Sequence, residues 1–229
     1  MNNTQSLGLA RPMNPSQFWK IAALCLASAL GNALVSHFFN NIMGVPLYLD
    51  TVFNVAMCFC VGLLPGLITG ALLSPIMYFL VCRYFLGLSV ELGLFRNVWV
   101  ICIIVEVFLV WAFHTRMKKR ETLFLANPSL QTFVGVSTFL MVLAALDCLV
   151  LSVTGGIIDF ALTSIQAPRT FSPENSFKLG LLRNNIPLLP TAILSRIPIN
   201  IIDRLIAIFG GFGISLLYRK WLNQRPNNK

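Results

Sequence analysis

Asp50 is the only charged residue from Gly44 to Pro75, a stretch that reads G-V-P-L-Y-L-D-T-V-F-N-V-A-M-C-F-C-V-G-L-L-P-G-L-I-T-G-A-L-L-S-P. A kinked turn, Val45-Pro46-Leu47-Tyr48, leads to the acid. An apolar run follows, breaks at Leu64-Pro65-Gly66 and restarts. The pattern predicts two hydrophobic helices that meet at a Pro-Gly corner and are entered through a carboxylate. Asp50 is expected to cap the first of them, as Asp does at a helix start, or to fix the loop before it.

The rest of the chain follows the same economy of charge. Of 229 residues, 56% are hydrophobic and 11% charged, against about 25% charged in a soluble domain. Such a surface belongs in a bilayer, so an all-α membrane protein is expected. The organisation read from the chain is a tail over 1–16, one six-helix membrane domain over 17–221, and a basic tail over 222–229. The spans are expected at Phe18–Phe39, Leu49–Leu64, Pro65–Tyr84, Asn97–Phe113, Thr132–Thr154 and Ile186–Tyr218. Span 5 is expected to stop at Gly155-Gly156. Residues 157–185 form the longest connection, a partly helical cap.

The formal net charge of +9 points to the membrane surface and its anionic headgroups, and the chain carries no motif for nucleic acid. Arg11, Lys20, Arg116, Lys118, Lys119, Arg120, Arg219, Lys220, Arg225 and Lys229 fall on one side of the spans, and Arg83, Arg96, Arg169, Lys178 and Arg183 on the other. The bias places both termini in the cytoplasm and the Leu64-Pro65-Gly66 corner on that side. The six cysteines lie in apolar runs without a C-x-x-C pair and read as small buried hydrophobes.

Charges inside spans carry the chemical information, because each costs about 2.5–3.5 kcal/mol at a span centre on insertion scales. Glu106, Asp147, Arg196, Asp203 and Arg204 need partners or a ligand. Arg196, Asn200, Asp203 and Arg204 are spaced by three or four residues and share a helix face, which cannot point to lipid. Asp203 and Arg204, as sequence neighbours about 100° apart, are expected to find different partners. The acids either pair with the arginines or line a ligand cavity. His37 and His114 read as interfacial packing. The chain holds no G-x-S-x-G, H-E-x-x-H, P-loop or paired-glutamate motif, so no enzyme and no bound nucleotide are expected.

Span 1 is dense in small residues. Ala23-x-x-x-Ala27 and Ala29-x-x-x-Ala33 set them one turn apart, the spacing that lets helices approach closely. The pairs serve either internal packing or a partner.

In order along the chain, Val45-Pro46-Leu47-Tyr48-Leu49-Asp50-Thr51, then Gly62-x-x-Pro65-Gly66-x-x-x-Gly70, Thr154-Gly155-Gly156, and Ile199 to Ala207 with Asp203-Arg204 resemble the substrate-binding S components of energy-coupling factor transporters. Arg204 stands where that family often has lysine. The resemblance implies a six-helix bundle that captures a vitamin-like small organic micronutrient from outside. Loop 1, with Tyr48 and Asp50, would gate. Spans 4 to 6, with Glu106, Asp147, Arg196, Asn200 and Asp203, would bind substrate. Ala23 and Ala27 would dock on a coupling subunit, and a partner ATPase pair would hydrolyse ATP, leaving this chain without a cofactor. The start Met1-Asn2-Asn3-Thr4 lacks the histidines of metal-carrying members, so a metal ion is not expected. Trp99, Trp111, Tyr48 and Phe160 are candidates to stack a ring. The alternative is a ligand-sensing membrane module that signals to a separate protein.

Overall fold

The computed structural model describes residues 15–45, 47–76, 97–165 and 173–223. Expectations for Pro46, Cys82, Arg83, Arg96, Arg169 and for tail residues 1–14 and 224–229 lie outside them, whereas residues 15–16 and 222–223 of the expected tails are helical. Every element among the described residues is helical.

Helix α1 (Pro15–His37) starts on proline, whose missing N–H is no loss in a first turn. It runs into one π-helical turn, Phe38–Ile42. A loop over 43–51 then leads into α2 (Val52–Cys60). Thr51, not Asp50, holds the N-cap position of α2, and its side chain makes no capping bond. Its hydroxyl is committed elsewhere, as described below.

The corner between α2 and α3 (Leu63–Ile76) sits at Gly62, three residues earlier than Pro65. Gly62 has φ +133°, a backbone state closed to other residues without strain. Pro65 falls in the first turn of α3. Gly66 and Gly70 lie on the face that packs on the next long helix. A Cβ on Gly70 would come within 2.4 Å of Ile103 Cγ2, and one on Gly66 within 3.0 Å of Val107 Cγ1.

With nine residues, α2 is about 14 Å long at 1.5 Å per residue, short of the ~30 Å hydrocarbon core. It tolerates this because it is the innermost element. Val55, Ala56, Met57 and Cys58 are wholly buried, packed among α1, α3 and two later helices. Non-helical backbone at membrane depth survives only where protein covers it.

A 3₁₀ turn, Asn97–Trp99, opens α4 (Val100–Ala126), which continues as helix through the basic run expected to follow its span. The link to α5 (Leu130–Ile165) is closed by Ser129 and Thr132, each side chain accepting from the other's backbone N–H at 3.3 and 2.9 Å. This is a reciprocal N-terminal cap. Gly155-Gly156 does not end α5. The pair instead lets α7 (Leu188–Leu194) approach, since a Cβ on Gly156 would meet Ile193 Cγ1 at 2.6 Å and Ile193 Cα at 2.8 Å. Before α7, the connection contains α6 (Pro173–Arg183), tied to the end of α5 by a Lys178–Asp159 ion pair. After α7 the chain breaks at Ser195-Arg196 and resumes as α8 (Ile197–Asn223).

Four segments are long and apolar enough to cross a membrane: Pro15–Asn40, Val100–Ala126, Leu130–Thr163 and Leu188–Leu222. The chain is therefore a membrane protein that is all-helical over the described residues. Ser28 Oγ lies 2.9 Å from Tyr218 Oη, and Lys20 Nζ sits 5.7 Å from the centre of the Trp221 ring. The start of α1 and the finish of α8 thus share one end of the bundle. The main core joins Val55, Phe59, Val107, Val110, Leu143, Ile208 and Phe212 from α2, α4, α5 and α8.

Candidate functional site

The charges that were costly to place in the bilayer meet at one point. Arg204 of α8 donates from Nη1 to Glu106 Oε1 of α4 at 2.5 Å and from Nη2 to its neighbour Asp203. Asp147 Oδ2 of α5 lies 3.8 Å from the same Nη1. Glu106, Asp147 and Asp203 are each wholly buried, and Arg204 is 4% exposed. The expectation that Asp203 and Arg204 would diverge is overturned. Backbone directions do diverge, but the arginine stem is long enough to bring its planar fork back over the adjacent carboxylate.

Loop 1 is bolted into this cluster. The Leu49 backbone N–H donates to Asp203 Oδ1 at 2.9 Å. Thr51 Oγ1 donates to Glu106 Oε1 and accepts from Arg204 Nη1, both at 3.0 Å. Leu49 holds φ +44°, a left-handed state that is rare for a bulky residue. Strain of about 1–3 kcal/mol persists only where the surroundings over-determine the conformation. Here the Asp203 bond and the burial of the Leu49 side chain do so. Of the two gating candidates, Tyr48 and Asp50 are half-buried beside the bolt, while Leu49 and Thr51 form it.

The remaining substrate-binding candidates stand apart from the carboxylates. Asn200 donates to Ser152 Oγ of α5 at 2.9 Å. Arg196, at the break between α7 and α8, lies 4.6 Å over the Trp99 ring, an arrangement favoured by the ring's negative face. Gly155 makes room for it, since a Cβ there would come 3.1 Å from Arg196 Nη1. Trp99 therefore stacks on a cation of this chain. Trp111 lines an apolar groove with Ile104, Phe108 and Val150, on the face of α4 turned away from the cluster.

On α1 the two small-residue pairs divide. Ala29 and Ala33 are buried in the bundle, whereas Ala23 and Ala27 are exposed. Beside the buried pair, Asn32 accepts from the Phe53 N–H and donates to Asn54 Oδ1, both at 2.9 Å.

A second polar cluster lies at the end shared by the start of α1 and the finish of α8. His114 Nε2 is 3.0 Å from Glu121 Oε2. Arg219 binds Glu121 Oε1 and caps the Phe59 carbonyl at the end of α2, at 2.5 Å. His114 is thus a buried partner of Glu121. Sequence reading missed Glu121, Thr51, Ser152 and Asn32. For Asn32 and Ser152 the available signal was a polar side chain within an apolar helical run; Thr51, in the loop before α2, and Glu121, beside the basic run 116–120, gave no such signal.

What this arrangement can do chemically follows from its charges. Three carboxyls face one guanidinium, so the cluster attracts positive charge and holds loop 1 through hydrogen bonds. Among the described residues, no three His, Cys, Asp or Glu side chains are grouped to hold a metal ion. The described cysteines Cys25, Cys58, Cys60, Cys102 and Cys148 are all free thiols. No family model, curated protein or solved structure matches the chain.

Proposed function

We propose that this chain is the substrate-binding S component of an energy-coupling factor type importer, set in the cytoplasmic membrane with six passages: α1, the short α2 completed by the loop before it, α3, α4, α5 and the α7–α8 pair. It captures a vitamin-like organic micronutrient from outside and delivers it by docking on a coupling subunit driven by a partner ATPase pair. The observation that carries the reading is the loop over 43–51 bolted onto polar groups from α4 and α8. This polar region lies toward the end opposite the start of α1 and the finish of α8. A capture protein needs such a site, with a closing segment, on the side where substrate arrives.

Two further features support it. Lys20, Arg116, Lys118, Lys119, Arg120, Arg219 and Lys220 crowd the end that holds both helix termini, which favours that end as cytoplasmic. Ala23 and Ala27 face outward from α1, where a coupling helix would have access. In this reading Glu106, Asp147, Asp203, Asn200 and Arg196 form the floor under loop 1, and Tyr48 and Asp50 move with the loop.

The test is purification of the full chain from its host in mild detergent, with mass spectrometry for co-purifying ATPase and coupling subunits and for a bound small molecule. Recovery of both, and their loss with Ala23→Leu or Ala27→Leu, supports the importer. If neither appears and the leucine variants leave nutrient uptake intact, the proposal fails. A bound small molecule together with a signalling protein in place of the ATPases would identify a sensory module.

A further inference from the structure

The carboxylate cluster contains a pair that its own residues do not satisfy. Asp147 is wholly buried, yet neither of its oxygens accepts a hydrogen bond among the described residues. Glu106 Oε2 is in the same condition, although Oε1 of the same carboxyl is bound by Thr51 and Arg204. The two carboxyls come from different helices, α4 and α5, and converge on one nitrogen, Glu106 Oε1 lying 2.5 Å and Asp147 Oδ2 3.8 Å from Arg204 Nη1. Two buried carboxylates gathered on one guanidinium nitrogen repel each other unless one of them holds a proton.

The surroundings do not relieve the repulsion. Arg204 and Asp203 face the pair from α8 and Asp50 from loop 1, with the thiols of Cys58, Cys102 and Cys148 on α2, α4 and α5. Arg204 hydrogen-bonds Glu106 Oε1, Asp203 and Thr51, and approaches Asp147 Oδ2 at 3.8 Å without a hydrogen bond. Three acids on one guanidinium leave an excess of negative charge in a dry interior, where an uncompensated ion is costly. A metal ion would need a grouped donor set, which the described residues lack. A proton needs only the two oxygens already in place.

We propose that Glu106 and Asp147 form a proton-binding site, with one proton shared between Glu106 Oε2 and the Asp147 carboxyl. The hydrogen bond so formed joins α4 to α5 and leaves Glu106 Oε1 to hold Thr51. It is independent of what the protein carries.

The test is infrared spectroscopy of the purified full chain in lipid nanodiscs at neutral pH, read in the C=O stretch of protonated carboxylic acids, with D₂O exchange to mark the band. The wild type should show a D₂O-sensitive band that both Glu106→Gln and Asp147→Asn abolish, because each amide supplies the hydrogen and lets the remaining acid ionise. Absence of the band, its survival in both variants, or its loss in only one overturns the shared proton. Thermal melting gives a second reading. The Asp147→Asn amide replaces the proton's hydrogen bond, so its Tm should stay within about 3 °C of wild type, and a fall of more than about 10 °C overturns the proposal.

Discussion

The backbone N–H of Leu49 donates to Asp203 Oδ1 at 2.9 Å, across 154 residues of sequence. A strained loop residue and a buried carboxylate on the last helix therefore stabilise each other. Asp203→Ala is expected to destabilise the protein by about 3–5 kcal/mol, because it removes both the loop's acceptor and one partner of a buried arginine. Asp203→Asn, which keeps Oδ1 as an acceptor for Leu49, should cost less. Thermal melting in detergent ranks the two, and equal losses would show that the loop contact contributes nothing.

Thr51 tests the bolt from the other side. Thr51→Val keeps the shape of the side chain but removes a hydroxyl that both donates to Glu106 and accepts from Arg204. The expected loss is about 1–3 kcal/mol, the penalty for leaving buried polar atoms unpaired. Limited proteolysis of the loop over 43–51 should quicken with it.

The glycines of α5 and α8 separate two roles. Gly156→Ala places a Cβ against the Ile193 backbone at 2.8 Å and is expected to cost about 1–3 kcal/mol through overpacking. Gly213 lies in α8 with nothing within 4 Å of an added Cβ. Gly213→Ala should be neutral or stabilising by up to about 1 kcal/mol, from helix propensity alone. Melting curves of the two variants give opposite signs if the close α5–α7 approach is as described.

On α1, Ala23→Leu and Ala27→Leu should leave the fold within about 0.5 kcal/mol of wild type, as exposed substitutions do. Ala33→Leu, at a position 1% exposed, should destabilise by about 1–3 kcal/mol. Detergent melting of the isolated chain makes the comparison without reference to any partner.

At the opposite end, Glu121 joins His114 to Arg219. A double-mutant cycle of His114→Ala and Arg219→Ala, read by melting, is expected to give a coupling of about 0.5–3 kcal/mol, since both act through one carboxylate. A coupling near zero would mean that Arg219 works through the Phe59 carbonyl alone.

The helical class and the inward placement of Glu106, Asp147 and Asp203 were legible in the chain, because hydrocarbon penalises charge and each acid had to be sheltered. The helix limits were less so. Gly155-Gly156 reads as a stop in sequence, yet α5 runs through it, since a helix keeps glycines where another backbone presses close. The Pro65-Gly66 corner moved to Gly62 for the converse reason: a positive φ needs glycine, whereas proline is at home in a first turn.

By itself, then, the sequence determined that this protein is helical, lies in a membrane and hides several charges. Those properties follow from composition, run length and the cost of burying an ion, which act residue by residue. Only the tertiary structure decided that Arg204 gathers three acids, that Thr51 and Leu49 lock loop 1 onto them, and that Arg196 lies instead on Trp99. Such pairings depend on side chains brought together from distant helices, and helical periodicity places a residue on a face without naming what it will meet there.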